Sequence, residues 1–377
     1  MTTASTRVLL LFGGRSSEHS VSCVTAAGVL RAIDRKRFDV IPVGITPDGE
    51  WTRVKSNPDE WSLRGTSLPV VPHSGESIRL SKVGEHFEVL SDQLDADHET
   101  VLSTTTLGTV DVVFPLLHGP YGEDGTLQGQ LELLDIPYVG SGVAASAIGM
   151  DKHFMKVAFE AAGLEVGPYE VITNKQWLRS PEEAIARLES LEYPLFVKPS
   201  RAGSSVGITR VEDADCLREA IEEARRFDPK VVVEQGILGR EIECGVLEGR
   251  GSDHARASLP GEIVVEAGAH TFYDFEAKYV DGSAAKLSCP AELPEDAIKS
   301  LQELAVVAFD AVDGEGLGRV DFFYTPDGRW VINEINTMPG FTPISMYPQM
   351  WDKTGLNYKD LITELIDLAL GRKLGLR

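Results

Sequence analysis

The chain has 377 residues, of which 42% are hydrophobic and 25% charged, a composition typical of a globular protein with two or three domains. Aspartate and glutamate total 58 against 36 lysines and arginines, so the formal net charge is −22. Such an acidic surface repels nucleic-acid phosphates, and no apolar run approaches the roughly 18 residues of a membrane-spanning helix. We therefore expect neither nucleic acid nor a membrane as partner.

The four cysteines predict neither a zinc site nor a disulfide framework, because Cys23, Cys216, Cys244 and Cys289 lie far apart and form no C-x-x-C pair. The N-terminus reaches glycines after only five or six apolar residues, a pattern that does not predict a signal peptide. We expect a cytoplasmic protein.

In the first part of the chain, 1–145, short apolar runs alternate with helical patterns. The predicted elements are strands at 7–12, 38–45 and 110–117 and a helix at 22–33. This alternation predicts an α/β domain with a doubly wound, largely parallel sheet. Between Lys55 and Thr106 the pattern weakens into polar stretches, which predict an irregular insertion or edge hairpins.

Two further α/β units are predicted, a central one at 146–238 and a C-terminal one at 239–377. The central unit begins with one helical stretch near 144–162 and continues with strands at 193–197, 207–211 and 231–234 and a helix near 215–227. The C-terminal unit has predicted strands at 241–247, 318–324 and 329–335 and helices near 295–310 and 359–370. Residues 268–290 show neither period and predict a long mobile lid loop.

A glycine-rich segment at 203–207 matches G-x-S-x-G, the turn that presents the nucleophile of serine hydrolases. A strand-like run follows Gly207, whereas a hydrolase would have a helix there. The segment therefore predicts a β-hairpin loop, and a hydrolase that uses Ser205 is a remote alternative.

Four polar residues near the C-terminus form a candidate metal site. Arg319 and Asp321 lie two apart on one predicted strand, and Glu334 and Asn336 lie two apart on the next. If Thr325 faces Trp330, Asp321 faces Glu334, Arg319 faces Asn336, and all four side chains project from one side of the hairpin. Oxygen ligands of this kind suit Mg²⁺ bound together with phosphates. The alternative is a solvated surface of cross-strand ion pairs.

A candidate phosphate site lies earlier in the chain. Lys198 immediately precedes the small residues 200–207, whose backbone N–H groups can surround a phosphate chain while the lysine supplies charge. The chain contains no G-x-x-x-x-G-K-[ST] sequence, so a nucleotide would be bound in another way.

These and other motifs resemble the D-alanine–D-alanine ligases, enzymes of the ATP-grasp superfamily, over nearly the whole chain. The matching segments are 13–22 (GGRSSEHSVS), 115–119 (PLLHG), 122–125 (GEDG), 150–152 (MDK), 198–207, 276–279 (EAKY), 318–321 (GRVD) and 333–346. The first, second and sixth of these distinguish D-alanine ligases from other ATP-grasp enzymes.

The resemblance implies an ATP-grasp fold with ATP between the second and third units. The implied nucleotide ligands are Lys152 and Lys198 near the adenine and phosphates, Ser205 in the phosphate loop, Glu234 and Ile237 at the adenine, Glu241 at the ribose and Lys278 at the phosphates. Asp321, Glu334 and Asn336 would bind two Mg²⁺ ions, for which Mn²⁺ can substitute. Gln235 stands where many relatives have a lysine, which puts the nucleotide affinity in doubt.

The implied reaction joins two D-alanines for peptidoglycan synthesis: a carboxylate attacks the γ-phosphate, and the second amine attacks the resulting acyl phosphate. The implied substrate residues are Glu18, Ser204 and Tyr279 at the first D-alanine, His118 beside the substrates, Ser345 and Met346 at the second carboxylate, and Arg319 and the Gly340 N–H at the oxyanion. Without the resemblance, Glu18 would be an acid at a helix N-terminus and His118 a structural histidine.

The resemblance further implies a homodimer formed through the N-terminal unit. Tyr279 favours an amine as second substrate, which leaves a D-alanyl-D-lactate ligase as the alternative.

Overall fold

The computed structural model describes residues 5–62, 68–97, 99–265 and 285–372. No helix within these ranges has both the length and the apolar character needed to cross a bilayer.

The first sheet is built around its most apolar strand. Its elements, in chain order, are β1 (Thr6–Gly13), α1 (His19–Ala32), β2 (Phe38–Ile45), β3 (Trp51–Arg53), β4 (Glu76–Val83), β5 (His86–Leu94), β6 (Val101–Val110), β7 (Val112–Leu116) and α2 (Thr126–Leu133). β1 pairs in parallel with β2 and β7. Val8 and Leu10 face one hydrophobic core and Leu9 and Leu11 another, so a strand covered on both faces has a continuous apolar run.

The polar insertion extends this sheet as antiparallel strands, in the order β6-β5-β4-β3-β2-β1-β7. The edge-hairpin alternative for the insertion is thus confirmed. The expectation of a parallel sheet is confirmed for β2, β1 and β7, with a further parallel bridge between Val113 and Tyr138, and is wrong for the insertion, whose described strand pairs are antiparallel. The predicted strand at 110–117 is also wrong at its start, since Val110 ends β6 and β7 begins at Val112.

The helical stretch predicted as one element is two helices, α3 (Val143–Met150) and α4 (Lys152–Ala161). Asp151 separates them because it has extended backbone angles and its carboxylate accepts the N–H groups of His153 and Phe154. This capping starts a new helix in a new direction. The same carboxylate accepts hydrogen bonds from Ser200 Oγ at 2.8 Å and Lys230 Nζ at 2.6 Å. The N-terminus of α4 is therefore fixed to the central unit.

The central sheet has the order β10-β9-β11-β8 and encloses a small core of its own. Its elements are β8 (Tyr169–Ile172), α5 (Asn174–Arg179), α6 (Pro181–Ala186), β9 (Leu195–Pro199), β10 (Thr209–Val211), α7 (Leu217–Arg225) and β11 (Val231–Gln235). β10 pairs antiparallel with β9, which confirms the predicted hairpin around the glycine-rich segment.

The third sheet has the order β15-β14-β12-β16-β17, with β13 beside β12. Its elements are β12 (Arg240–Leu247), β13 (Arg256–Ala257), β14 (Gly261–Val265), β15 (Ala285–Ser288), α8 (Glu295–Ala311), β16 (Leu317–Tyr324), β17 (Trp330–Asn336), α9 (Met346–Thr354) and α10 (Tyr358–Gly371). The end of the predicted lid is wrong, because β15 pairs antiparallel with β14. Residues 268–284 of that lid lie outside the described residues.

The hairpin of β16 and β17 differs from the predicted register at its turn. Trp330 pairs with Tyr324, one residue away from Thr325. An irregularity between Asp321 and Phe322 adds one residue to β17 and shifts the pairing, so that Asp321 faces Glu334. The polar pairs are those predicted, although the turn is not.

The last two helices return to the first sheet. Tyr347 and Trp351 of α9 and Leu361 and Leu365 of α10 belong to the same core as Phe12 of β1. The chain's C-terminal segment therefore stabilises the N-terminal sheet and fixes its position relative to the third sheet.

Asp151→Ala should lower the free energy of unfolding by about 3 kcal/mol, because it removes a helix cap and leaves the largely covered Lys230 ammonium group without its carboxylate. Asp151→Asn should cost less, since asparagine also caps. Urea unfolding followed by tryptophan fluorescence would measure both. Asp213→Ala is the control: Asp213 caps a short exposed 3-10 helix, so its loss should cost no more than about 1 kcal/mol. Equal losses for Asp151→Ala and the control would contradict this account.

Candidate active site

A cavity of about 850 Å³ lies where the three sheets meet. Every predicted site residue within the described part of the chain lines it: Glu18, His118, Lys152, Lys198, Ser204, Ser205, Glu234, Ile237, Glu241, Arg319, Asp321, Glu334, Asn336, Gly340, Ser345 and Met346. Lys278 and Tyr279 lie outside the described residues. Residues more than 300 positions apart in the sequence thus share one site.

A carboxylate and two ammonium groups form one end of the cavity. Glu234 ends the apolar run of β11, and its Oε2 accepts a hydrogen bond from Lys198 Nζ of β9 at 2.7 Å. Its Oε1 lies 3.2 Å from Nζ of Lys156, a buried lysine of α4. Burial opposes the ionisation of Glu234, but the two lysines lower its pKa to about 2. This carboxylate is therefore ionised at neutral pH.

The glycine-rich hairpin loop between β9 and β10 lines the cavity. Ser204 and Ser205 have positive φ angles of 50° and 58°, and Lys152 Nζ donates to the Ala202 carbonyl at 2.7 Å. The strand-to-helix turn that a serine hydrolase needs does not occur here, because the segment leads into the strand β10.

Glu18 connects the N-terminal unit to this hairpin. It is the N-cap residue of α1, but its side chain makes no capping hydrogen bond. Instead Ser204 Oγ donates to Glu18 Oε1 at 2.5 Å. A Cβ atom added to Gly203 would lie 2.9 Å from Glu18 Oε2, and one added to Gly119 would lie 3.0 Å from it. Two glycines thus form a close cradle around an acid that faces the cavity.

The predicted metal residues lie together at the polar end of the β16–β17 hairpin. The Arg319 guanidinium donates two hydrogen bonds to Asp321, at 2.8 and 2.7 Å, and Asn336 Nδ2 donates to the same carboxylate at 3.1 Å. Among residues 5–62, 68–97, 99–265 and 285–372, no group of three His, Cys, Asp or Glu side chains is arranged to hold a metal. A metal here would need further ligands from a substrate.

Three acids and bases of the cavity wall were not predicted from the sequence. Lys156 follows the predicted Lys152 by four residues, one helical turn later on the same face. Glu243 follows Glu241 by two residues on a strand and lies 3.3 Å from Arg319 Nε. These spacings were the available signals. Glu123 stood in a matched segment, but only the fold shows what it contacts.

Glu123 and His118 hold the loop that follows β17. The Met338 N–H donates to Glu123 Oε1 at 2.9 Å, and His118 Nδ1 donates to the Met338 carbonyl at 3.0 Å. Glu123 Oε2 accepts the Gly119 N–H at 2.7 Å. Burial and the neighbouring Glu18 raise the pKa of Glu123 to about 8, whereas burial lowers the pKa of His118. Both are neutral near pH 7, which avoids further charge beside Glu18.

Comparison with known proteins agrees with this geometry. Family models described as "D-ala D-ala ligase N-terminus" and "D-ala D-ala ligase C-terminus" match residues 7–141 and 158–367. A D-alanine–D-alanine ligase of Pseudarthrobacter chlorophenolicus is 61% identical over 98% of this chain and 96% of its own length. The chain belongs to the D-alanine–D-alanine ligase family. Another family member, from Streptomyces griseus, is 52% identical over 98% of this chain and 94% of its own length.

Solved structures show the same ATP-grasp architecture. The VanG D-Ala:D-Ser ligase from Enterococcus faecalis has a TM-score of 0.78 at 35% identity, over 97% of this chain and 99% of its own. The D-alanine–D-alanine ligase from Coxiella burnetii has a TM-score of 0.77 at 32% identity, over 98% of this chain and 94% of its own. Beside Glu234, the Oε1 atom of Gln235 accepts the Glu192 N–H at 3.0 Å.

The free energy of unfolding should fall as the pH rises from about 4.5 to 8, because Glu123 keeps its proton in the folded protein while the unfolded chain loses it near pH 4.5. Glu123→Gln should remove this loss. The difference should be on the order of 2 kcal/mol, since the open cavity screens part of the effect. Urea unfolding at pH 5, 6, 7 and 8 would measure it.

Glu85→Gln, at an exposed turn between β4 and β5, should keep the slope of the unmodified protein. Parallel curves for the unmodified protein and Glu123→Gln would rule out titration of Glu123 in this range.

Proposed function

We propose that this enzyme condenses two D-alanines into D-alanyl-D-alanine for peptidoglycan synthesis, with ATP bound between the central and third sheets. The observation that carries the proposal is the convergence of every described candidate residue on one cavity of about 850 Å³. Its volume suits a nucleotide with two small amino acids. Charged side chains lie at both ends of the cavity, Glu234 with two lysines at one end and Arg319 with carboxylates at the other. A nucleotide needs both ends, one for its base and one for its phosphate chain.

The adenine would lie beside Glu234 and Ile237, the ribose beside Glu241 and the phosphates beside the hairpin loop. Lys152 already holds this loop through Ala202, and Lys198 precedes it on β9. Backbone N–H groups of such a loop suit phosphate oxygens. These contacts position ATP without a protein nucleophile.

The donor set at the hairpin fits Mg²⁺. Asp321 and Glu334 pair across the strands and Asn336 follows on the same face, so two carboxylates and one carboxamide line the same part of the cavity. Mg²⁺ bound there would neutralise charge on the transferred phosphoryl group. Arg319, which is held between Asp321 and Glu243, supplies a further fixed positive charge.

The first D-alanine would place its ammonium group on Glu18. The cradle of Gly119 and Gly203 fixes this carboxylate from two sides, and Ser204 donates to it. The substrate's carboxylate would then point towards the phosphates and attack the γ-phosphate, which gives an acyl phosphate. Positioning of the reactants supplies much of the acceleration in a reaction of this kind.

The second D-alanine would attack the acyl carbon from the side of α9. Ser345 and Met346 lie at the N-terminus of this helix, where backbone N–H groups and the helix dipole favour a carboxylate. Arg319 and the Gly340 N–H would stabilise the oxyanion. His118 and Glu123 fix the position of Gly340, because they bind both backbone groups of Met338, two residues before it.

The second substrate is assigned as an amine on the basis of Tyr279, which lies outside the described residues. We further propose the unit boundaries 1–145, 146–238 and 239–377, a homodimer formed through the first unit, and a cytoplasmic location, where ATP is available. D-lactate remains the alternative second substrate.

Purified protein with ATP, Mg²⁺ and D-alanine should release phosphate and form D-alanyl-D-alanine in equal amounts, detected by mass spectrometry. L-Alanine should give neither product, because its opposite configuration cannot place the ammonium, methyl and carboxylate groups in the three positions that D-alanine would occupy. D-Lactate and D-serine, each offered with D-alanine, test the second subsite. A D-alanyl-D-lactate product that exceeds the dipeptide would overturn the assignment of an amine.

Gly203→Ala should raise the KM for the first D-alanine by about tenfold or more, because the new methyl group displaces the Glu18 carboxylate, and it should weaken the binding of ADP, which the same loop would contact, by a smaller factor. Steady-state kinetics and calorimetry would measure these values. Gly129→Ala is the control, since a Cβ atom there meets nothing within 4 Å and α2 tolerates alanine. An unchanged KM would argue against Glu18 as the ammonium site.

A further inference from the structure

Lys156 has a buried charge that no step of the proposed reaction uses. Its side chain is only 3% exposed, and its Nζ lies 3.2 Å from Glu234 Oε1. The ring of Tyr169 covers the same ammonium group, 5.5 Å from its centroid. Burial of a lysine is costly unless its charge is paired, so a functional reason for its position is to be expected.

The two lysines around Glu234 contact different oxygen atoms. Lys198 donates to Oε2 and precedes the phosphate-side loop, whereas Lys156 lies near Oε1 and comes from α4. Lys152, four residues earlier on α4, donates instead to the Ala202 carbonyl of the hairpin loop. Lys156 is therefore assigned to the carboxylate alone, while Lys198 is shared with the phosphate side.

We infer that Lys156 is a positioning residue for nucleobase selection, because it holds the Glu234 carboxylate in place as a hydrogen-bond acceptor. The site therefore accepts a purine with an amino group at carbon 6 and rejects a purine with a carbonyl group at that carbon. The inference rests on the proposed function, which places the adenine beside Glu234. An ionised carboxylate has acceptors only, so it pairs with the adenine amine and repels the guanine oxygen.

The electrostatics of the cluster support this role. Burial disfavours the charged form of Glu234, and the Lys156 and Lys198 ammonium groups reverse this effect and lower its pKa to about 2. Without Lys156, the carboxylate would have one cation, which it shares with the phosphate side. A site that hydrogen-bonds a substrate group discriminates strongly against the analogue that lacks it, so loss of orientation should reduce discrimination.

The test compares the binding of ADP and GDP to Lys156→Met by calorimetry. The unmodified protein should prefer ADP, and the variant should bind ADP about tenfold more weakly with GDP affinity changed by less than about twofold. Turnover at saturating ATP should stay within about threefold of normal, so that the change appears in KM and not in kcat. Lys175→Met, at an exposed position of α5, is the control and should keep the ADP preference.

A double-variant cycle with Glu234→Gln distinguishes positioning from a general loss of structure. Glu234→Gln alone should lose the same ADP preference, and Lys156→Met should add little to it, because Lys156 acts on the nucleobase only through the Glu234 carboxylate. The inference would be overturned if the two changes reduced the ADP preference additively, or if Lys156→Met left the ratio of ADP to GDP affinity unchanged. The proposed function would still stand in that case, provided that the unmodified protein forms the dipeptide. Failure of the unmodified protein to bind ADP would instead overturn both.

Discussion

Lys156, Lys198 and Arg319 carry positive charge at positions with little access to water, and each lies 2.7 to 3.3 Å from a carboxylate. A buried charge destabilises a fold unless an opposite charge and hydrogen bonds compensate for it. In this enzyme the partners come from different elements: α4, β9 and β11 at one end of the cavity, β12 and β16 at the other. The Lys198–Glu234 and Arg319–Glu243 pairs join neighbouring strands of one sheet, and Lys156 reaches Glu234 from α4, so the charge pattern at each end of the cavity depends on how these strands and this helix pack.

Hydrogen bonds of the site, by contrast, join different units. Glu123 and His118 come from the loop after β7, yet they bind Met338 after β17. Ser204 of the central hairpin donates to Glu18 at the start of α1. Each contact joins two units, so binding residues from all three are held in one geometry. A catalyst that acts by positioning and electrostatics, with no nucleophile of its own, requires such fixed distances.

Helices α9 and α10 have a comparable role in the first unit. Their aromatic and aliphatic side chains pack with β1 in one core, although almost the whole chain separates them in sequence. The N-terminus of α9 also carries Ser345 and Met346 at the cavity. The core that stabilises the first sheet thus also places the end of the site where we propose that the second substrate binds.

The sequence by itself determined the family and most strands and helices, because these depend on motifs and local patterns, and the resemblance to the family implied most residues of the candidate site. Apolar runs predicted β1 and β11, and spaced motifs identified sixteen described residues that line one cavity. Only the tertiary structure decided the helix break at Asp151, the irregularity that restores the Asp321–Glu334 pair, the strand β15, and the places of Lys156, Glu123 and Glu243. Each of these depends on a partner distant in sequence: a lysine and a serine for Asp151, a neighbouring strand for β15, and a buried opposite charge for Lys156. Local periodicity predicts which face of a helix or strand is apolar. It does not predict which group a polar side chain contacts once the units pack together.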